Sequence, residues 1–338
     1  MNTRILSASA EHIQEVGVLL RNGELVAVPT ETVYGLAANA LDGAAVSRIF
    51  EAKGRPQDNP LIVHIDMLDT LSMLSADVPD TAYTLAQAFW PGPLTIIVPK
   101  SDRVPTEVSA GLQTVAVRMP SHPIAREIIR AAGVPLAAPS ANLSGSPSPT
   151  TAARVAADMD GRIAAIVDGG ACEVGVESTV ITLVGERPRL LRPGGITKEQ
   201  LEAVIGAIDV DPAVIEPLAN DREAASPGMK YQHYAPRADV TLIDADAAQF
   251  AAFVNAQAGD GAMALCFDDE TDGVAIPFLT YGARADEDAQ ARRVFEALRE
   301  ADDRGATRLF AACPRAEGVG LAVYNRLLRA AAFKVVRL

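Results

Sequence analysis

Residues 44–65, AAVSRIFEAKGRPQDNPLIVHI, carry a helical run directly into an apolar strand. The spacing of apolar residues predicts a helix over 44–52, and the continuous apolar run predicts a buried strand over 61–65. A helix followed by a buried strand is typical of α/β domains. Two basic residues, Lys53 and Arg55, occupy the turn between these elements, in a chain where lysine is scarce.

Lys53 and Arg55 together predict a site that handles phosphate groups. An ammonium is a compact point charge and a guanidinium is a planar fork, so the two can hold different oxygens of one polyanion. The alternative is a solvated surface pair, as most clusters of basic residues are. We favour the functional interpretation because Gly54 and Pro56 impose a particular backbone shape on this turn.

Helical and strand-like runs alternate on both sides of this turn, which predicts two α/β domains. The first domain covers residues 1–205 and the second covers 237–338. In the first, helices are predicted at 11–22, 44–52, 81–89, 124–132 and 152–159, and strands at 25–28, 61–65, 94–98, 114–118, 136–138, 165–168 and 178–184. In the second, strands are predicted at 240–243, 262–267, 278–281 and 308–312, and helices at 247–256, 288–301 and 321–332.

A linker is predicted over residues 206–236, because Asp, Pro and Gly interrupt every candidate helix or strand there. The linker ends in 226–236, SPGMKYQHYAP, which is too rich in aromatic and basic residues for an inert spacer. We therefore expect this end of the linker to contribute to function.

Composition limits the class of protein. The chain has 338 residues, of which 49% are hydrophobic and 22% charged, as expected for a globular protein. The formal charge of −13 argues against a general nucleic-acid coat, although a local basic pocket remains compatible with it. Cys172, Cys266 and Cys313 match no metal or disulfide spacing, which favours a reducing compartment. With no signal-like or membrane-spanning run, we expect a cytoplasmic protein without a membrane contact.

Several predicted strands end in loops rich in hydroxyl, amide and basic groups. Residues 29–36, PTETVYGL, follow the first strand, and residues 138–145, APSANLSG, follow a later one. Such groups at strand ends could together form an anion-binding cleft. Each residue also has a purely structural alternative. Thr30 could serve as the cap of a turn, and Ser148 could belong to a turn and a helix cap without contacting a ligand. We interpret Ser140 as a binding hydroxyl, since no histidine forms a recognisable triad with it.

The ordered motifs resemble the threonylcarbamoyl-AMP synthase family, the YrdC-like proteins, in its long form with a second C-terminal domain. The resemblance extends over essentially the whole chain. It rests on 29–36, Lys53-x-Arg55 with 59–61, 90–95 (WPGPLT), 117–120 (VRMP), 139–142 (PSAN), 175–179 (GVEST), 191–194 (LRPG) and the linker motif 226–236.

This resemblance implies a fold and a reaction. The fold would be a twisted mixed-sheet α/β catalytic domain followed by a smaller Rossmann- or flavodoxin-like domain. The enzyme would be a nucleotidyltransferase that condenses L-threonine, bicarbonate or CO2, and ATP into threonylcarbamoyl-AMP and pyrophosphate. Its product would pass to the machinery that modifies the adenosine next to the tRNA anticodon. Mg²⁺ would accompany ATP, and no protein side chain is assigned as a metal ligand.

The resemblance also implies roles for individual residues. L-Threonine or its carbamate would contact Thr30, His64, Arg118, Ala138 and Ser178. The nucleotide would contact Lys53, Thr114, Ser140, Asn142, Ser148, Arg192, Tyr231 and Tyr234. Lys53 and Arg55 would be the catalytic residues, and Arg55 could serve either substrate. Tyr231 or Tyr234 would form a lid over the cleft. The alternative is that these aromatic residues serve to hold the two domains together and do not cover the cleft.

Two other functions stay open from the sequence. An RNA-binding module, or a weaker tRNA contact, would use a basic concave surface, but the acidic charge and the lack of an aromatic-basic stripe count against it. A transferase using carbamoyl phosphate would consume a different carbonyl donor.

Overall fold

The computed structural model describes residues 2–217 and 234–338, which form two β-sheets flanked by helices. Tyr231 lies outside these residues. Within the described ranges no helix is both long and apolar enough to cross a bilayer. The first sheet has eleven strands and the second has five, so the chain is a mixed α/β protein.

The first domain contains eleven strands and eight helices among the described residues. The strands are β1 (Arg4–Ser7), β2 (Val26–Val28), β3 (Gly35–Asn39), β4 (Ile62–His64), β5 (Leu94–Pro99), β6 (Thr114–Arg118), β7 (Leu136–Ala137), β8 (Ala165–Asp168), β9 (Thr179–Thr182), β10 (Arg189–Arg192) and β11 (Asp209–Val210). The helices are α1 (Ala10–Arg21), α2 (Gly43–Lys53), α3 (Asp69–Leu74), α4 (Asp80–Phe89), α5 (Thr106–Ser109), α6 (Pro123–Ala132), α7 (Ala152–Met159) and α8 (Lys198–Ile205).

The first sheet mixes parallel and antiparallel pairs in the order β1-β8-β2-β3-β7-β4-β6-β5-β9-β10-β11. Strands β4 and β6 are parallel, whereas β5 runs antiparallel to β6 and β10 antiparallel to β9. Some neighbouring strands, such as β1 and β8 or β5 and β9, are distant in sequence, so side chains from separate motifs are brought onto the same face. The predicted twisted mixed-sheet class is confirmed.

Helix α2 explains how the first basic residue is placed. Asp42 caps its N-terminus by accepting hydrogen bonds from Ala44 N and Ala45 N. Gly54 ends it in the left-handed conformation with φ of 61°, a backbone shape that glycine adopts without steric cost. The helix therefore includes Lys53 as its last residue, where its side chain is buried.

The C-terminal domain is an open, fully parallel sheet. Its elements are β12 (Asp239–Asp244), α9 (Ala247–Ala256), β13 (Ala262–Cys266), β14 (Phe278–Thr280), α10 (Glu287–Asp303), β15 (Arg308–Ala312), α11 (Gly320–Ala330) and β16 (Val335–Arg337). The strand order is β14-β13-β15-β12-β16. This order differs from the classic Rossmann and flavodoxin orders, so the likeness to those folds lies in the parallel α/β construction.

The segment that follows residue 205 contains regular structure before the undescribed residues begin. Strand β11 pairs in parallel with β10, and Pro212–Val214 form one turn of 3₁₀ helix. Residues 209–210 of the predicted linker therefore belong to the first sheet, and residues 212–214 form the 3₁₀ turn that follows. The domain limits of 1–205, 206–236 and 237–338 themselves stay predictions.

Candidate functional site

The candidate site is built on a row of residues that are in register across five strands of the first sheet. His64 pairs with Arg118, Arg118 with Thr95, Thr95 with Val180, and Val180 with Arg192. Paired residues of neighbouring strands point to the same face. The row spans four strand spacings, about 19 Å, so it is long enough to place two ligands side by side.

Arg118 is the second residue of this row, between His64 and Thr95, and is almost completely buried. Its Nη2 lies 2.7 Å from Glu31 Oε1, and its Nη1 donates to Thr32 Oγ1 at 2.8 Å. Burial alone would raise the pKa of Glu31, but the Arg118 charge and hydrogen bonds to this carboxylate hold the pKa below its ordinary value. The two side chains therefore form a buried ion pair at the edge of the site.

Arg192, at the end of the row, holds Ser178 in place. Its Nε donates to Ser178 O at 3.0 Å and its Nη2 donates to Ser178 Oγ at 3.1 Å. The Ser178 hydroxyl lies 2.7 Å from Thr95 Oγ1. After Arg192 the chain turns at Gly194, where a Cβ would lie 2.3 Å from Thr179 N. Glycine is needed there because two backbone segments touch.

His64, at the other end of the row, is 4% exposed and is neutral at physiological pH. Burial, followed by the Arg118 charge, lowers the pKa of His64 to about 3, although Glu31 opposes this shift. A neutral imidazole offers one hydrogen-bond donor and one acceptor. His64 can therefore contact a polar ligand without adding charge.

We expect nuclear magnetic resonance to show a neutral His64 imidazole from pH 8 down to about pH 4, whereas an unperturbed histidine titrates near 6.5. The measurement is a titration of the ring ¹⁵N shifts in histidine-labelled protein. The variant His64→Gln assigns the resonance by its loss. A titration midpoint near pH 6 for that resonance would contradict the burial described here.

The loop after β7 closes one side of the site. Ala138, Ser140 and Asn142 all border the recess, and Asn142 Nδ2 donates to the carbonyl oxygens of Leu143 and Ser146. These bonds fix a tight loop that presents its polar groups inward. The loop is also joined to β3 through a bridge between Gly35 and Ser140.

Lys53 supports this loop from outside the recess. Its Nζ donates to Ser140 O and, at 2.6 Å, to Asn142 O. Burial, followed by the nearby Arg55 charge, lowers the pKa of Lys53 well below its ordinary value. Because Nζ is engaged by two carbonyls, Lys53 is placed to shape the loop, which differs from the direct contact to nucleotide that the resemblance implied.

Arg55 does border the recess. Its Nη2 donates to Asn59 O at 3.1 Å, and its guanidinium carbon lies 5.7 Å from the centre of the Phe50 ring. Burial lowers the pKa of Arg55 to about 10, although Tyr234 and Asp58 oppose this shift. The side chain therefore stays cationic at neutral pH.

The recess formed by these groups contains about 640 Å³ not occupied by atoms, part of it continuous with solvent. Only about 60 Å³ of it admits the centre of a water molecule, so large ligands require the lining side chains to move. Of the predicted site residues, the recess brings together Thr30, Arg55, His64, Arg118, Ala138, Ser140, Asn142, Ser178, Arg192 and Tyr234. Three arginines line it, in a chain with a net charge of −13.

Three predicted residues lie elsewhere. Lys53 is behind the loop, and Thr114 begins β6, at the opposite end of that strand from Arg118. Ser148 is buried and its hydroxyl donates to Glu177 Oε1. Tyr231 falls outside the described residues. The roles assigned to all these residues stay predictions.

Tyr234 borders the recess and also packs between the domains. Its ring centroid lies 5.2 Å from that of Phe295 in α10, and its backbone has φ of 65°, unusual for an aromatic residue. The next residue, Ala235, donates from its N–H to Gly145 O. Tyr234 therefore contacts both the recess and the C-terminal domain. Its role as a lid stays a prediction.

Sequence reasoning assigned no role to Glu31, Thr95 and Glu177, which the structure places in or beside the recess. Each lies inside a motif on which the resemblance rests. Their contribution could be found only from the pairing of strands, because Thr95 and Ser178 are 83 positions apart.

The described residues offer no side-chain cage for a metal ion. No group of three or more His, Cys, Asp or Glu side chains converges within residues 2–217 and 234–338. The two carboxylates nearest the recess, Glu31 and Glu177, are each paired with an arginine.

Comparisons with known proteins agree with this geometry. A family model for Sua5, YciO and YrdC proteins, described as telomere recombination, matches residues 18–194. A second model, described as the threonylcarbamoyl-AMP synthase C-terminal domain, matches residues 196–332. Threonylcarbamoyl-AMP synthase of Bacillus subtilis is 48% identical over 336 residues, covering 98% of this chain and 96% of that protein.

Two further comparisons involve the archaeon Pyrococcus abyssi. Its threonylcarbamoyl-AMP synthase is 46% identical over 327 residues, covering 94% of this chain and 93% of that protein. The crystal structure of P. abyssi Sua5 complexed with L-threonine superposes with a TM-score of 0.92 at 43% identity, covering 99% of this chain and 100% of that one.

Proposed function

Because this chain belongs to the Sua5/YciO/YrdC family and carries the C-terminal domain of threonylcarbamoyl-AMP synthases, we propose that it synthesises L-threonylcarbamoyladenylate. The substrates are L-threonine, bicarbonate or CO2, and ATP, and the products are threonylcarbamoyl-AMP and pyrophosphate. The reaction makes the chain a nucleotidyltransferase. Its product supplies the threonylcarbamoyl group for the adenosine next to the tRNA anticodon.

The observation that carries this proposal is the row of buried cationic and hydroxyl groups that borders one recess. Arg118 ends β6, Ser178 immediately precedes β9 and Arg192 ends β10, and Arg55 borders the same recess from the turn after α2. A triphosphate and an amino-acid carbamate are both anions, and their mutual repulsion must be offset in a poorly solvated site. The complex of the P. abyssi relative with L-threonine supports the choice of amino acid.

The reaction requires no nucleophile from the protein. The threonine amine attacks CO2 and loses a proton to give a carbamate. A carbamate oxygen then attacks the α-phosphorus of ATP, and the bond to the bridging oxygen breaks to release pyrophosphate. Catalysis of this kind depends on holding the reactants in line and on stabilising the developing charge.

The recess offers groups for each reactant. Thr30, His64 and Arg118 lie towards one end of the row, where we place threonine or its carbamate, with Ala138 and Ser178 beside it. We place the phosphates nearer Arg192, Ser140 and Asn142, and Arg55 can serve either anion.

Mg²⁺ enters this proposal bound to ATP. When present it neutralises phosphate charge, as in other phosphoryl-group and nucleotidyl transfers. The described residues then contribute by binding the remaining phosphate oxygens, chiefly through Arg55 and Arg192, two of the three arginines among them that line the recess.

Exclusion of water is the further requirement, because the carbamate and the mixed anhydride are both labile. Tyr234 borders the recess and is 5% exposed, so its ring can shield the reacting groups. We therefore propose that the end of the linker, through Tyr234, covers the recess as a lid.

The proposal is tested by incubating the full-length chain with Mg²⁺, ATP, bicarbonate and L-threonine. We expect pyrophosphate release that requires threonine, and threonylcarbamoyl-AMP detected by mass spectrometry. Omission of threonine or bicarbonate is the control. Turnover with carbamoyl phosphate in place of bicarbonate, or salt-dependent tRNA binding without threonine-dependent turnover, would favour one of the alternative functions.

A further inference from the structure

A fully buried arginine from the C-terminal domain reaches the back of the recess. Arg326, in α11, is 0% exposed, and its Nε donates to Glu177 Oε2 at 2.8 Å. Its Nη1 donates to Pro193 O at 2.9 Å and its Nη2 to Glu177 O at 3.3 Å. A buried charge with this many hydrogen bonds is strongly tied to its partners.

The partner of Arg326 is a carboxylate that borders the recess. Glu177 immediately precedes Ser178, and its other carboxylate oxygen accepts from the Ser148 hydroxyl. Burial alone would raise the pKa of Glu177, but Arg326, followed by Arg192, holds it below its ordinary value. An unpaired negative charge at this position would oppose the binding of phosphates or a carbamate.

Arg326 also joins the two segments that carry recess groups. The carbonyl of Glu177 lies directly before Ser178, and the carbonyl of Pro193 lies directly after Arg192. These segments already contact each other through the bonds from Arg192 to Ser178. The Arg326 guanidinium, which belongs to the other domain, therefore balances the charge of Glu177. It also fixes the distance between the segment with Ser178 and the segment with Arg192.

We propose that Arg326 is a positioning residue by which the C-terminal domain completes the recess. Arg326 neutralises the Glu177 carboxylate and fixes the positions of Ser178 and Arg192 relative to each other. The inference rests on the proposed function, because it concerns the binding of the same nucleotide and carbamate. The C-terminal domain thereby contributes to the site through α11, in addition to carrying the end of the linker.

The alternative is that Arg326 serves only to dock the domains. The chain supplies a matched control, because Arg154 in α7 forms another ion pair between domains, with Glu296 and Asp303 of α10. Neither Arg154 nor its partners border the recess. Arg154→Met therefore weakens docking without changing the charge of the site.

The test compares equilibrium binding of Mg²⁺-ATP and steady-state kinetics of full-length variants whose folding is checked by thermal melting. We expect Arg326→Met to raise the dissociation constant and the KM for ATP about tenfold or more, because it leaves Glu177 unpaired. Glu177→Gln in the Arg326→Met background should recover most of this loss. Arg154→Met should stay within about twofold of wild type, as expected for a pair remote from the ligand.

Equal ATP binding by Arg326→Met and Arg154→Met, or no recovery in the double variant, would overturn the inference. If Arg326→Met does not fold, Arg326→Lys takes its place, since it keeps the charge and loses the hydrogen bonds to the two carbonyls. We expect about threefold weaker ATP binding from that variant, and a wild-type value overturns the inference. Binding is measured apart from turnover, so absence of threonine-dependent turnover in the wild type would reject the proposed function separately.

Discussion

Replacing Lys53 by alanine is expected to lower threonine-dependent pyrophosphate release at least about 100-fold, because the loop that carries Ser140 and Asn142 loses its support. The variant also leaves two buried carbonyls without their donor, at a cost of about 1–3 kcal/mol each in the free energy of unfolding. The structure adds a loss of stability, since Nζ is bonded to the main chain.

Urea unfolding and pyrophosphate release, measured on the same preparation, check this expectation. Lys198→Ala is the control, because Lys198 lies on α8 and its ammonium pairs with Glu202 one helical turn away. It should change neither quantity appreciably. Wild-type release together with a wild-type unfolding midpoint in Lys53→Ala would show that the loop does not depend on this side chain.

Replacing Arg118 by methionine should be the most damaging change within the row. It leaves the Glu31 carboxylate buried without its partner, which costs about 3–5 kcal/mol in the free energy of unfolding. Loss of the cation that we place beside threonine or its carbamate should lower kcat about 10²–10³-fold. Glu31→Gln in the Arg118→Met background should restore stability, because it removes the unpaired charge, but should not restore activity.

The pH dependence of unfolding distinguishes this explanation from a packing defect. In the wild type the pKa of Glu31 is lowered by its partner, so the pair stabilises the fold above the unfolded pKa of about 4.3 and this stabilisation is lost as the pH falls through the folded pKa. In Arg118→Met, burial without the cation raises the pKa of Glu31. The deficit of the variant relative to wild type should therefore be larger at pH 8 than at pH 5, and a constant deficit would refute the ion-pair account.

Much of the fold could be predicted from the sequence because helix signals and apolar runs are local. The predicted strand at 308–312 and the helices at 152–159 and 247–256 match the observed limits. Strand β3 was missed because Gly35–Asn39 is rich in glycine and alanine, which have low strand propensity. Its position depends on pairing with β2 and β7, which no local pattern encodes.

The site could be predicted only as a set of motifs. The sequence indicated basic and hydroxyl groups at strand ends, and the recess brings ten of the predicted residues together. It could not indicate that Lys53 turns towards a backbone loop, since that depends on where α2 ends relative to residues 140–142. Nor could it indicate that Glu177 meets Arg326, which is 149 positions away in the other domain.

A crystal structure of the full-length chain with L-threonine and a non-hydrolysable ATP analogue would show where both substrates bind. We predict that the phosphates contact Arg55 and Arg192 and that threonine lies beside His64 and Arg118, with both ligands in the one recess. Ligands bound on separate faces of the protein, or a triphosphate that contacts none of these arginines, would contradict this account.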